Sequence, residues 1–454
     1  MIASVLAEPR PAAYERPVPR YTSYPTAPHF HAGIGASAYR RWLGELDPAE
    51  AISLYLHIPY CRELCWYCGC NTRATRRYGP LADYRGRLMA EIDLIAQALP
   101  QRMRVGHLHW GGGTPTILSP GDFLALQHRL RVLFDIDPAA EIAIEIDPRN
   151  LDAPMIAALA EAGVTRASLG VQDFDPEVQR AINRWQPFDM TRAAVEALRA
   201  AGIVNLNFDL IYGLPRQTVA SILDTVDRAV GLAPQRIALF GYAHVPWMKG
   251  HQRLIPEETL PDGQARWDQA TAAAGRLQAA GYRWIGLDHF AWPSDSMAEA
   301  ASNGRLHRNF QGYTTDPSRT LIGFGASAIG ALPQGHVQNS PDVRTWSEAI
   351  AAGKLAINRG IALDTDDRLR RHVIERLMCD LAVDLGHAAT AFNQPSNYFD
   401  SEGERMEALA ADGLLEIEGR RIALTDRGRP LMRLVAAVFD RYLEPGLSRH
   451  SRAV

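Results

Sequence analysis

Six short apolar runs punctuate the middle of the chain, and stretches of helical period fill the gaps between them. The runs are "AISLYLHI" from Ala51, "VGHLHWGG" from Val105, "EIAIEI" from Glu141, "RASLGV" from Arg166, "NLNFDLIYG" from Asn205 and "RIALFGYA" from Arg236. Each has strand length and ends in turn-forming residues. Between them, "LADYRGRLMAEIDLIAQAL" and "MTRAAVEALRAAGI" carry apolar residues three and four apart. Gly163 and Gly202 follow two helical stretches, where a left-handed C-cap is expected. Six strand–helix units in succession predict a parallel sheet. Right-handed crossovers then curl it into a full or partial barrel, or wind it on both faces. "YRWIGLDHFA" (Tyr282–Ala291) predicts a further strand.

The flanks differ in texture. The first 48 residues have no period, and their aromatic-rich "PRYTSYPTAPHF" (Pro19–Phe30) predicts an extended segment that packs on something. From Asp364 onward, "DRLRRHVIERLMCDLAVDL" predicts a helix, and the following "GLLEIEGRRIALTDRGRPLMRLVAAVFDRYL" a strand pair and a helix. We therefore divide the chain into an N-terminal segment over 1–48 that covers the barrel mouth, an α/β barrel domain over 49–363 and a small, mostly helical domain over 364–454.

Composition narrows the setting. With 47% hydrophobic residues the 454-residue chain can bury a large core. A formal net charge of −3 argues against a nucleic-acid partner. No apolar run approaches the ~20 residues of a membrane helix, and the N-terminus lacks the basic start and apolar core of a secretory signal. Four of five cysteines fall within ten residues, which is no extracellular disulfide framework. The expectation is a cytoplasmic monomer.

That crowding is the strongest chemical signal. Cys61-x3-Cys65-x2-Cys68-x-Cys70 follows the first strand, at the end where α/β barrels place their chemistry. Zinc sites normally use two separated ligand pairs, and Cys379 is isolated. Three thiolates in eight residues suit a [4Fe–4S] cluster with one iron left open; structural zinc and incidental thiols are the alternatives. The second run ends in three glycines, whose bare N–H groups can meet a zwitterion. Alternation puts Glu145 on one face of the third run and its isoleucines on the other. Asp209 falls inward on the fifth by the same logic, where a carboxylate needs a cationic or hydroxyl partner. Gln172 ends the fourth.

"C-x3-C-x2-C" after the first strand resembles the radical S-adenosylmethionine (SAM) superfamily. "RYTSYPTAPHF", "CGCNT", "HWGGGTPT", "EIDPR", "SLGVQDFDPEVQRAINR", "DLIYGLPRQT", "YAHVP", "LDHFA", "LHRNFQGYTT" and "GFGASAIG" follow in order. Together they resemble the oxygen-independent coproporphyrinogen III oxidase (dehydrogenase) family over most of residues 20–445. The resemblance implies a radical SAM partial (β/α)6 barrel. It also implies an enzyme of haem biosynthesis that oxidatively decarboxylates two propionates of coproporphyrinogen III to vinyls.

The resemblance further implies that Cys61, Cys65 and Cys68 hold the cluster. A first SAM would meet Tyr55, Gly112, Glu145 and Ile329. A second would meet Gly113, Thr114, Gln172, Arg184, Asp209 and the backbone near Ala243. Tyr67 would lie beside the cluster. Tyr55, Glu145 and Cys70 are taken as acting in the reaction, with Cys70 a thiol that is not a ligand. Arg20, His251, Arg253, His307 and Arg308 are candidates for the substrate carboxylates. An electron donor such as flavodoxin or ferredoxin is implied. Two rivals use the same barrel. A haem-binding chaperone would carry a Trp near position 309, where this chain has "HRNFQGYTT". A two-SAM radical methyltransferase or cyclopropanase is separated by its product.

Overall fold

The structure, a computed structural model, describes residues 17–443. All six apolar runs form strands: β1 (Ile52–Ile58), β2 (Arg104–Gly112), β3 (Asp135–Ile146), β4 (Arg166–Gln172), β5 (Asn205–Tyr212) and β6 (Arg236–Gly241). They pair in parallel and in chain order. The connecting helices pack on one face, where Ile144, Leu169, Phe208 and Ile237 are fully buried. Gly163 and Gly202 take φ of +77° and +87° just past their helices, as the cap pattern expects. The opposite, concave face carries the polar residues of the alternation.

The sheet is wider than six strands. "YRWIGLDHFA" forms two short strands rather than one, β7 (Arg283–Ile285) and β8 (His289–Ala291), and β8 runs antiparallel to β6. On the other side β9 (Leu321–Phe324) pairs in parallel with β1, so β1 is internal. β10 (Ile329–Leu332), β11 (Gly335–Asn339) and β12 (Ile357–Ala362) extend that side antiparallel. The order is β12-β11-β10-β9-β1-β2-β3-β4-β5-β6-β8-β7, and its two ends do not pair. The barrel is partial.

A second apolar core gathers Leu369, Val373, Leu377, Met432 and Phe439 with Val18, Tyr21 and Tyr24 of the N-terminal segment. The helix expected from "DRLRRHVIERLMCDLAVDL" stops early. It spans Thr365–Asp380, and Leu381 turns left-handed, freeing Ala382–Asp384 to join a three-stranded sheet with Leu415–Glu418 and Arg421–Leu424. Arg433 donates to the carbonyls of Val18 and Pro19, while Arg308 donates to those of Arg20 and Tyr21. The segment is thus fastened along its backbone, and Arg20 reaches away from this core to the Gly241 carbonyl at the end of β6 (2.9 Å). The remainder of the proposed covering segment, residues 1–16, lies outside the described residues. No helix among those described is long and apolar enough to cross a membrane.

One buried carboxyl ties the added strands to the barrel. Glu91, on the helix after β1, accepts from Gly325 N–H (2.6 Å), Asn339 Nδ2 (2.7 Å) and Trp346 Nε1 (3.1 Å). Burial pushes it from 4.5 up to about 7 despite these donors. The folded chain therefore binds this proton more tightly than the unfolded chain does. Its contribution is full below about pH 4.5, declines as pH rises and is gone above about pH 7. The stability difference between parent and Glu91→Gln, read from urea unfolding, should therefore shift against the parent by on the order of 2–3 kcal/mol between those limits. Glu91→Ala should lose about 3 kcal/mol at acid pH by orphaning three donors, and that loss should shrink as pH rises toward 7 and the parent gives up its own contribution.

Candidate active site

The cysteines leave β1 on a loop held from both sides. Tyr60–Cys61 pairs in parallel with Arg73–Ala74, closing the loop at its base. Trp66 N–H donates to Ile182 O beyond β4 (3.0 Å). From the segment after β6, Gln252 Nε2 donates to Tyr67 O (2.9 Å), His251 Nε2 to Cys68 O (2.7 Å) and Lys249 Nζ to Cys70 O (3.0 Å). His251 is thus committed to the cysteine loop rather than to a substrate carboxylate.

Cys61, Cys65, Cys68 and Cys70 all line one cavity of about 370 Å³ above the carboxyl ends of the parallel strands. Thr72 Oγ1 donates to Cys61 Sγ (3.4 Å), and Arg149 Nη2 and Arg184 Nη1 donate to Cys65 Sγ (3.4 and 3.5 Å). A hydrogen bond from the Cys70 thiol pulls Cys68 down to about 7, and the same contact holds Cys70 well above the usual thiol range. Gly69 does not adopt a positive φ. A tight turn at Cys65–Cys68 is closed by Cys68 N–H to Cys65 O (3.2 Å).

Charge around the sulfurs is organised by Asp147, just past β3. Arg149 Nη2 lies 2.7 Å from one carboxylate oxygen and Arg184 Nη2 3.3 Å from the other. Burial alone would raise this carboxyl; Arg184 and Arg149 hold it below its ordinary value. Arg184 also donates to Gly170 O (2.6 Å), and its Nε is buried without a partner among the described residues. Asp147 and Arg149 were missed as site residues, although "EIDPR" contains both; an acid and a base two apart past an inward Glu was the available signal.

Further along the cavity, Glu145 Oε2 accepts from Gly112 N–H (3.0 Å), and Oε1 lies 3.3 Å from His109 Nε2. A side chain on Gly111 would collide with Glu145 and Tyr55, and one on Gly113 with the Tyr60 backbone. Glycine there allows strand and loop to close together. Asp209 accepts from Ser168 Oγ (3.0 Å) and Asn207 Nδ2 (2.9 Å). Burial and the Glu145 charge push it up to about 6. Gln172 (φ +68°) turns its amide toward Arg184 across Gly170.

Gly112, Gly113, Tyr67, Glu145, Gln172, Arg184, Asp209 and Ala243 therefore meet the cysteines at one cavity. Tyr55, Thr114 and Ile329 do not line it. Tyr55 stands behind Glu145 with its hydroxyl 3.0 Å from His57 Nδ1. Thr114 is buried and accepts from Asp147 N–H (3.2 Å), supporting the loop rather than facing the cavity. Ile329 opens β10; its carbonyl lies beside Gly323, the register partner of Tyr55. Arg20 reaches the cavity, whereas Arg253 lines a separate exposed groove. His307 pairs with Glu375 (3.2 Å), and Arg308 stacks over Tyr313 (4.3 Å), so neither is at the rim expected for substrate carboxylates.

A Radical SAM superfamily family model matches residues 55–229, and a HemN C-terminal domain model matches residues 363–431. An oxygen-independent coproporphyrinogen III oxidase of Bradyrhizobium diazoefficiens is 54% identical over 97% of this chain and 98% of its own length. The chain belongs to the oxygen-independent coproporphyrinogen III oxidase family. A Pseudomonas aeruginosa oxidase of that family is 43% identical over 96% of this chain and 95% of its own. The solved Escherichia coli coproporphyrinogen III oxidase (HemN), a radical SAM enzyme, superposes with a TM-score of 0.89 at 39% identity, covering 93% of this chain and 98% of that one.

The cofactors of this radical SAM oxidase are a [4Fe–4S] cluster and SAM, and the donor set fits them. Among the described residues no three His, Cys, Asp or Glu side chains converge as a single ion demands. The cysteines instead stand around a cavity wall, as a cluster requires. The partnerless Arg184 Nε suits a carboxylate.

Ser in place of Cys61, Cys65 or Cys68 should each abolish the brown chromophore of anaerobically purified protein and the cluster's roughly four irons per chain. Cys70→Ser should keep the iron and slow turnover. Iron analysis and absorption spectra decide; equal iron loss in Cys70→Ser would make it a ligand.

Proposed function

We propose that this enzyme oxidatively decarboxylates coproporphyrinogen III to protoporphyrinogen IX at the cysteine-lined cavity, with Cys61, Cys65 and Cys68 as the cluster ligands. When bound, the cluster and SAM would supply a 5′-deoxyadenosyl radical to take hydrogen from a propionate side chain; loss of CO2 then gives the vinyl and releases one electron to an external electron acceptor. The observation that carries the reading is that these cysteines share one cavity with Glu145, Gln172, Arg184 and Asp209. A cationic sulfonium, an amino acid head and a ribose need such carboxylates, guanidinium and amide, held dry and in place.

The residues divide this work by position. Gly112 offers backbone to an amino acid head while Glu145 fixes its N–H. Asp147 keeps Arg149 and Arg184 aimed at Cys65, and Arg184 has a free Nε to spend on a carboxylate. Asp209, with Ser168 and Asn207, faces the part of the cavity we assign to a second SAM, together with Gln172 and Ala243. A second cavity of about 710 Å³ opens beside the first and shares Arg20, Gly241, Tyr242, Ala243 and Val245 with it. Its size and its lining by Trp267, Trp284, Leu287 and Phe290 suit an apolar macrocycle. We place the porphyrinogen there, with Arg20 at the junction meeting a propionate.

We further propose three working parts: a cover over 1–48, a barrel over 49–363 and a clamp over 364–454. The enzyme would act as a cytoplasmic monomer with a soluble electron donor such as flavodoxin or ferredoxin, without nucleic acid or membrane. A reducing compartment suits four clustered thiols.

Anaerobic incubation of the holoenzyme with SAM, a reductant and coproporphyrinogen III should yield protoporphyrinogen IX and two CO2 per substrate. A methylated product, or none, would overturn the reading. Asp209→Asn should leave iron content intact, lower SAM stoichiometry from two toward one and slow vinyl formation. In the parent, SAM affinity at this second position should rise as pH passes upward through about 6, because the Asp209 carboxyl must ionise to meet a cation. The variant should lose that dependence. Equilibrium dialysis with labelled SAM measures both.

A further inference from the structure

The cysteine loop has an outer face as well as an inner one. A shallow depression of about 400 Å³ on the surface is lined by Arg62, Glu63, Ala74, Thr75, Arg76 and Asn183. Glu63 also lines the cysteine cavity, so one layer of residues separates the two. Ala74 is the register partner of Cys61, and Asn183 Nδ2 donates to Leu64 O (3.0 Å). The floor of the depression is therefore the backbone that carries the first two cysteines.

Its rim is basic on a chain that is net acidic. Arg62 and Arg76 line it beside Glu63, and Arg73 and Arg77, exposed on the same loop, adjoin its lining in sequence. Arg76 pairs with Glu63 (2.9 Å) and Arg73 with Asp342 (2.8 Å). Arg62 and Arg77 make no ion pair among the described residues. Exposed pairs of this kind are worth ~0–1 kcal/mol and exchange partners readily. Four forked cations on the outer face of the cysteine loop form an electrostatic target for an anion too large to enter.

We propose that this depression is where a small one-electron carrier protein docks, acidic face inward, to reduce the cluster. The inference rests on the function proposed above, since only a cluster behind Cys61 gives the electron a destination. The balance is simple: the reduced carrier loses one electron, the cluster gains it, and no bond is made or broken. Transfer by way of Cys61 needs no opening of the cavity to water, which leaves substrate and SAM undisturbed on the inner side.

The test uses holoenzyme, anaerobic stopped-flow absorption of the cluster, and photoreduced flavodoxin as the carrier probe. The triple variant Arg62→Glu/Arg76→Glu/Arg77→Glu should keep its iron content and its reduction by dithionite. Reduction by flavodoxin at low salt should fall by about tenfold or more, and the parent rate should fall as salt rises. Arg228→Glu, an exposed charge reversal on the helix Val219–Gly231, should change neither rate. Equal flavodoxin rates in the triple variant and the parent would overturn the docking site, as would an equal loss with dithionite or with Arg228→Glu. The underlying function is judged separately: if it fails, the parent makes no protoporphyrinogen IX even with dithionite, whereas if only docking fails, it does.

Discussion

Four sulfurs and four carboxylates share one cavity, and the arrangement depends on Asp147 standing between Arg149 and Arg184. A buried charge without a partner costs several kcal/mol. Here Asp147 is met by two guanidiniums, Cys65 by the same two, and Glu145 by a backbone N–H and His109. The arginines can lean on Cys65 because Asp147 fixes them. Asp147 can stay ionised because they are there. Sheet geometry makes this possible, since β3 and β4 deliver these residues to adjacent positions above one strand end.

The same rule governs the lower part of the concave face. Glu141, Arg166, Asp295 and Arg236 form a chain of buried ion pairs across β3, β4 and β6. Higher up, Asp209 has only neutral donors, Ser168 and Asn207, and its proton is correspondingly harder to remove. Compensation is uneven: the charges at the base and Asp147 above the strand ends are paired with cations, whereas Asp209, between them, has none.

Much of this was legible in the sequence because it is local. Strand-length runs gave all six parallel strands, and alternation placed Glu145 and Asp209 inward. Cysteine spacing located the site. What escaped was long-range. The antiparallel strands β9–β12 follow no strand–helix rhythm, so nothing marked β1 as internal. Tyr55, Thr114 and Ile329, which the resemblance put with the SAM molecules, do not line the cavity. Arg308 looked like a rim cation; its Nε and Nη2 are bonded to carbonyls of a segment nearly 290 positions away. His251 was placed with the substrate for the same reason, and its carbonyl partner lies 183 positions upstream.

The place of β9 beside β1 sets an order on biogenesis. Ser53 pairs with Leu321, its hydroxyl donates to Asp316, and Asn71 and Arg73 on the cysteine loop bond to Pro341 O and Asp342. The strand that launches the cysteines is thus finished by residues made 263 to 270 positions later. A nascent chain emerging from the ribosome exposes its four thiols long before their frame exists. Iron delivery to a settled site must therefore follow synthesis of the whole barrel, and during that interval the thiols need a keeper or a strictly reducing milieu.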